Sequence, residues 1–128
     1  MRVLVCGDRE WTHETTIRRR LQQLPRDATI VHGAARGVDR LAAVIARRLG
    51  WSAEQIEAFP AEWDRLGTSA GPRRNQAMLN SGIDLVLAFH NDLTQSKGTA
   101  DMVRRAQAAG VPVEIIGQPA PGTVFAED

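Results

Sequence analysis

Short apolar runs alternate with helical patterns from one end of the chain to the other, and this alternation constrains the fold more than any other feature. Arg2–Cys6 is an apolar, β-branched run stopped by Gly7. Thr12 reads as an N-cap, and Ile17, Leu21 and Leu24 recur at spacings of four and three, which predicts a helix from about residue 13 to Leu24, ended by Pro25. Ala28–His32 is the second strand, closed by Gly33. Val38, Leu41, Ala42, Ile45 and Leu49 mark one face of the next helix, with Gly50 in the position past its end. Ile56–Phe59 is a weaker third strand, and residues 61–69 read as a polar loop containing Trp63. A helix then starts at Ser69-Ala70-Gly71-Pro72 and stops at Gly82. Asp84–Phe89 has the composition of a fully buried strand. Gly98-Thr99 opens a last helix, which Gly110 ends, and Val113–Ile116 is the fifth strand.

Five strands alternating with four helices require crossover connections, which are right-handed in parallel sheets. The expected fold class is α/β, a three-layer sandwich around a mostly parallel five-stranded sheet. Residues 1–117 are expected to form a single domain and residues 118–128 a flexible tail. The 128-residue length fits one such core. No apolar run reaches the ~18 residues needed to span a bilayer, and the N-terminal run is too short for a secretory signal. The single cysteine, Cys6, cannot form an internal disulfide, so the cytoplasm is the expected compartment and no membrane partner is expected. Sixteen basic against fifteen acidic residues leave a formal charge of +1, which does not favour nucleic acid as the partner.

In open parallel sheets ligands bind beyond the carboxyl ends of the strands, where helix N-termini present unpaired N–H groups and partial positive charge. The segments that fall there are Gly7-Asp8-Arg9-Glu10-Trp11, residues 33–39, residues 61–65 leading to Pro72-Arg73-Arg74-Asn75, and residues 90–101. Glycine stands beside Arg or Thr at three of these helix starts. Small residues let backbone N–H groups approach an anion, and Arg adds a bidentate donor, so the set points to a phosphate-bearing ligand. Arg9, Arg36, Arg73 and Arg74 are expected to converge on this edge. Each element also has a plain structural use: Gly7, Gly33 and Gly37 as turns, Asp39 as a favourable charge on a helix dipole, Gly98-Thr99 as a cap, Trp63 as core. His13, His32 and His90 are not spaced as metal ligands, and the first turn lacks the glycine pattern of dinucleotide sites. Neither a metal nor a cofactor is expected.

Taken in order, Cys6-Gly7-Asp8-Arg9-Glu10-Trp11, then Gly33-Ala34-Ala35-Arg36-Gly37-Val38-Asp39-Arg40-Leu41-Ala42, then Ala61–Arg65 with Gly71-Pro72-Arg73-Arg74-Asn75-Gln76-Ala77-Met78, then Gly98-Thr99-Ala100-Asp101-Met102-Val103, the loops resemble the YspA-related branch of the SLOG superfamily. This Rossmann-like group includes Lonely Guy proteins and the DprA/Smf core. The resemblance spans about residues 2–116. It implies a Rossmann-like sheet and a nucleotide or nucleotide-derived small molecule as partner, sensed or processed by the protein. The relatives are often dimers, which leaves a homodimer open.

Under that resemblance, backbone N–H groups at Gly7, Gly33, Ala34, Gly98 and Thr99 would hold phosphate. Asp8, Arg9 and Gly37 would complete the loops, with Arg36 and Arg73 neutralising charge. Trp63 would stack on a base and Asn75 would bond its edge or the ribose. The Lonely Guy relatives cleave the N-glycosidic bond of nucleoside monophosphates, which needs a carboxylate near an oxocarbenium-like centre. Asp39, Asp101 and Glu62 are the candidate catalytic residues, and DNA binding of the DprA type is a third reading. The sequence departs from the family pattern in three places. Asp8 replaces a second glycine, Ala34 replaces another, and the loop before Gly98 is longer and lacks a glycine pair. The Glu that Lonely Guy enzymes carry three residues after the Thr is Met102 here; Asp101, one residue earlier, lies ~100° around the helix.

Overall fold

The computed structural model describes residues 1–119, so most of the segment expected as a tail, 118–128, lies outside the described residues. The strands are β1 (Arg2–Gly7), β2 (Thr29–His32), β3 (Ile56–Ala58), β4 (Leu85–Phe89) and β5 (Val113–Ile116). They form one sheet in the order β3-β2-β1-β4-β5, and every pairing is parallel. The helices are α1 (Glu14–Gln22), α2 (Val38–Arg48), α3 (Trp63–Leu66), α4 (Ala70–Asn80) and α5 (Gly98–Ala108). The result is the α/β, Rossmann-like layer architecture that strand–helix alternation implies.

Side-chain parity along the strands sorts the core into two layers. Val3, Val5, Ile30, Leu87 and Phe89 face α1 and α2, together with Ile17, Leu21, Val38 and Ile45. Leu4, Cys6, Val31, Val86 and Ala88 face α4 and α5, together with Met78, Met102, Val103 and Ala106. Both faces of β1 and β4 are covered, which is why these strands read as unbroken apolar runs rather than alternating ones. Trp11 packs edge-on against Phe89, with ring centroids 5.8 Å apart, and fixes the first turn after β1 onto the sheet.

Two local expectations are corrected. The N-cap of α1 is His13 rather than Thr12: its Nδ1 accepts the Thr16 N–H. The stretch 61–69 is not an irregular loop but one turn of α3 followed by a 3₁₀ turn at Gly67–Ser69. A single turn contains too few residues to show a 3.6-residue period, so the pattern had nothing to register. Among the described residues no helix is long and apolar enough to cross a membrane.

Candidate functional site

The chain order reverses between β1 and β4. The connections from β1 run to one side of the sheet and β4 lies on the other, so their carboxyl ends diverge and open a crevice. A cleft of about 590 Å³ occupies that place. Its floor is Cys6 and Gly7 from β1 and His90 just past β4. One wall is the start of α2, another is α4 with Trp63, and the third is the turn leading into α5.

Gly7 sits at the narrowest point. A Cβ there would lie 2.2 Å from the Phe89 carbonyl oxygen and 2.6 Å from a Val38 methyl, so the residue is fixed by backbone proximity. The turn that follows organises itself. Asp8 N–H donates to Phe89 O (3.0 Å), Asp8 O accepts from Val38 N–H (3.2 Å), and Asp8 Oδ1 accepts the Glu10 N–H (2.9 Å). The extra carboxylate is therefore engaged by its own turn. Gly37 needs its glycine for conformation, with φ +78°.

Asp39 holds the second wall. Its Oδ2 accepts from Gly33 N–H at 2.8 Å and from Ala35 N–H at 3.4 Å, and the residue is only 5% exposed. Burial pushes its carboxyl up to about 6; the two N–H donors, then Arg74 and Arg9, pull the other way without prevailing. Between these donors Ala34 adopts φ +59°, rare for a residue with a Cβ, and its N–H is held by His32 Nδ1 (3.0 Å).

A chain of polar contacts joins this wall to the others. Arg74 Nη1 donates to Gly33 O, and its Nε donates to Asn75 Oδ1 (3.0 Å). Asn75 Nδ2 donates to Asp101 Oδ2 (2.9 Å) and Gly98 O (3.3 Å), and Arg105 Nε donates to the same Asp101 oxygen (2.8 Å). Burial alone would raise the Asp101 carboxyl, but the bonds from Arg105 and Asn75 outweigh it and hold it below its usual range.

At the start of α5, Ser96 Oγ accepts the Thr99 N–H (3.0 Å). The space at Gly98 is open: a Cβ built there meets nothing within 4 Å. Thr99 is 6% exposed, and its hydroxyl has no hydrogen-bond partner among the described residues. Lys97, the chain's one lysine, lies beside it on the cleft rim. On the α4 wall, half-exposed Trp63 packs over Gly71, where an added Cβ would lie 3.1 Å from its ring.

With this geometry in place, the likeness to known proteins is informative. The model of the YspA, cpYpsA-related SLOG family matches residues 1–66. The chain belongs to that family. It is also similar to the Gene 61 protein of Mycobacterium phage D29, with 38% identity over 122 residues, covering 88% of this chain and 93% of that protein. The part matched by the SLOG family model carries the β1 and β2 turns and the whole of α3. The Arg74–Asn75 pair and the Gly98-Thr99 turn lie beyond it.

Of the residues singled out from sequence in this SLOG chain, Gly7, Asp8, Arg9, Arg36 and Asp39 line the cleft on one side. Trp63, Asn75, Gly98, Thr99 and Asp101 line it on the other. Gly33, Ala34 and Gly37 shape the turn behind it. Glu62 and Arg73 are exposed and do not line it, and Glu62 pairs with Arg65. Arg36 pairs with Glu10 at 2.6 Å, both largely in solvent. Sequence reasoning placed Arg74 at this edge but gave it no contact. It placed Lys97 and His90 in the segment 90–101 at this edge but gave neither an individual contact with the ligand. The signal for Lys97 was available: a lone lysine among fifteen arginines stands directly before Gly98-Thr99.

Proposed function

We propose that the cleft binds a nucleotide or a nucleotide-derived phosphorylated small molecule, with the protein acting as its sensor or processor. The observation that carries this reading is the start of α5. A Thr99 hydroxyl with no hydrogen-bond partner among the described residues, open space at Gly98 and the Lys97 ammonium meet there at a helix N-terminus. A phosphate would supply the missing acceptor for Thr99 and the counter-charge for Lys97. Neither Lys97 nor Arg9 has an ion pair among the described residues. Trp63 lies on the α4 wall, with a flat, half-exposed ring suited to a base. Membership of the SLOG family agrees with a nucleotide-related role.

The single lysine makes a direct test available. A 2′,3′-dialdehyde nucleotide, trapped with borohydride, should label Lys97, and excess unmodified AMP, CMP or ADP-ribose should protect it. A thermal-shift screen with the same compounds should raise the melting temperature of wild type, and less so that of Lys97→Met. Labelling confined to the Met1 amine, together with no shift for any compound, would refute the reading.

A hydrolytic reading rests on one observation. Asp39 lines the cleft with its carboxyl pushed up to about 6, within the range useful for proton transfer near neutrality. Release of free base from AMP or CMP, lost in Asp39→Asn, would establish it; intact monophosphates after long incubation at high protein concentration would sink it.

A further inference from the structure

One strand of this sheet ends in a histidine and another is followed directly by one, and both rings make the same contact. His32 Nδ1 accepts the N–H of Ala34, and His90 Nδ1 accepts the N–H of Asp92, each at 3.0 Å. A nitrogen that accepts a backbone N–H carries no proton. Each neutral ring therefore holds its proton on Nε2, which is left as a donor. The tautomer follows from the hydrogen bond, and the turn after each strand fixes it.

Strand parity then separates the two. Val31 faces α4 and α5, so His32 falls on the α1 and α2 side and does not line the cleft. Ala88 faces α4 and α5, so His90 falls on that same side, in the cleft floor with Cys6. His90 is 8% exposed. Its Nε2 has no hydrogen-bond partner among the described residues. That N–H is therefore a donor that a group held in the cleft can accept.

We propose that His90 is a ligand-contacting specificity residue whose neutral Nε2–H donates to a phosphate oxygen held at the start of α5. This inference rests on the proposed phosphate-bearing ligand and names a donor for it that none of the loop motifs contains. The assignment to phosphate follows from connectivity. The chain runs from His90 through the turn at Asp92, whose carboxylate is engaged by Thr94, directly to Ser96, Lys97 and Thr99. The donors His90 Nε2–H, Thr99 Oγ and Lys97 Nζ then belong to one pole of the cleft.

Asparagine and glutamine separate the two ring nitrogens. In His90→Asn the amide oxygen can replace Nδ1 and keep the turn at Asp92, but the deeper donor is gone. In His90→Gln the amide NH₂ can reach the Nε2 position while the turn contact is lost. Affinity is measured by calorimetry for whichever of AMP, CMP or ADP-ribose binds wild type most tightly, and for inorganic phosphate. The expected result is binding about tenfold weaker in His90→Asn for both the nucleotide and phosphate, the scale of one hydrogen bond. His90→Gln should recover most of that loss. In wild type, long-range ¹H–¹⁵N spectra should show the Nε2–H tautomer of His90 and a shift of that nitrogen on saturation with the nucleotide. This readout does not depend on how the variants fold.

A His90→Asn protein that binds like wild type, or a His90 nitrogen that does not respond to saturating nucleotide, overturns this inference and leaves the proposed function standing. A loss confined to the nucleotide, with phosphate unaffected, overturns the phosphate assignment. Failure of wild type to bind any of the probes overturns both readings together.

Discussion

Replacing Asp39 by Asn tests the electrostatics beneath the cleft. The Asp39 carboxyl has an ordinary value of 3.8 and is pushed up to about 6 by burial. At 1.36 kcal/mol for each tenfold change in the proton equilibrium, the folded protein disfavours the ionised form by about 3 kcal/mol. The sign follows from proton counting. Between about pH 4 and pH 6 the folded chain keeps a proton that the unfolded chain has released. The stability tied to this group is therefore fully present below about pH 4 and is lost as the pH rises through about 6. Asp101 and Glu114, both held below their usual range, act in the opposite direction and at lower pH. The difference between wild type and Asp39→Asn isolates the one group. The amide oxygen can still accept the Gly33 N–H but does not titrate. Urea denaturation at several values between about pH 4 and pH 7.5 should show the variant gaining about 3 kcal/mol on wild type across that range. Parallel pH profiles, whatever their vertical offset, would refute the reasoning.

Four further substitutions probe the cleft. Gly7→Ala should destabilise by about 3 kcal/mol in urea denaturation, because its Cβ would meet the Phe89 carbonyl at 2.2 Å. Gly98→Ala should leave stability unchanged or raise it by up to ~1 kcal/mol, since nothing lies within 4 Å of the new methyl, yet weaken nucleotide binding by filling that space. Trp63→Ala should cost under ~1 kcal/mol, as expected of a half-exposed side chain. It should reduce binding of AMP in calorimetry while leaving inorganic phosphate unaffected. Asn75→Ala should cost about 2–3 kcal/mol in the same denaturation assay, because it removes partners of Arg74 and Asp101 at a buried position.

The parts of the fold that were legible from sequence are those in which a period repeats. Val38 to Leu49 spans three turns and shows its buried face; Leu85–Phe89 is buried on both sides and reads as one apolar run. The single turn at Trp63–Leu66 was not legible, and neither was the exchange of Thr12 for His13 at the first cap, since a histidine Nδ1 accepts an N–H only in one tautomer. The site followed the same division. Which loops meet at the sheet edge is set by strand order, so Gly7, Asp39 and Gly98 came out of connectivity. Which side chain on a helix looks inward is set by rotation. Adjacent Arg73 and Arg74 differ by ~100° around α4, and the inward one is Arg74. His90 was hidden for a different reason: its importance lies in which of its nitrogens the backbone has already occupied.

The polar chain from Asp39 through Gly33, Arg74 and Asn75 to Asp101 crosses three elements and makes two walls and the α5 turn a single braced frame. The bonds of the Trp63 segment are short-range by comparison: Leu66 and Arg65 turn back to Glu62, and Ser69 to Leu66. A ligand that needs more room than the empty cleft offers would displace the Trp63 flap at little cost and leave the frame unmoved. The cleft is thus rigid where it would grip phosphate and compliant where it would meet the base, so tolerance for different bases and strictness toward the phosphate would come from the same piece of architecture.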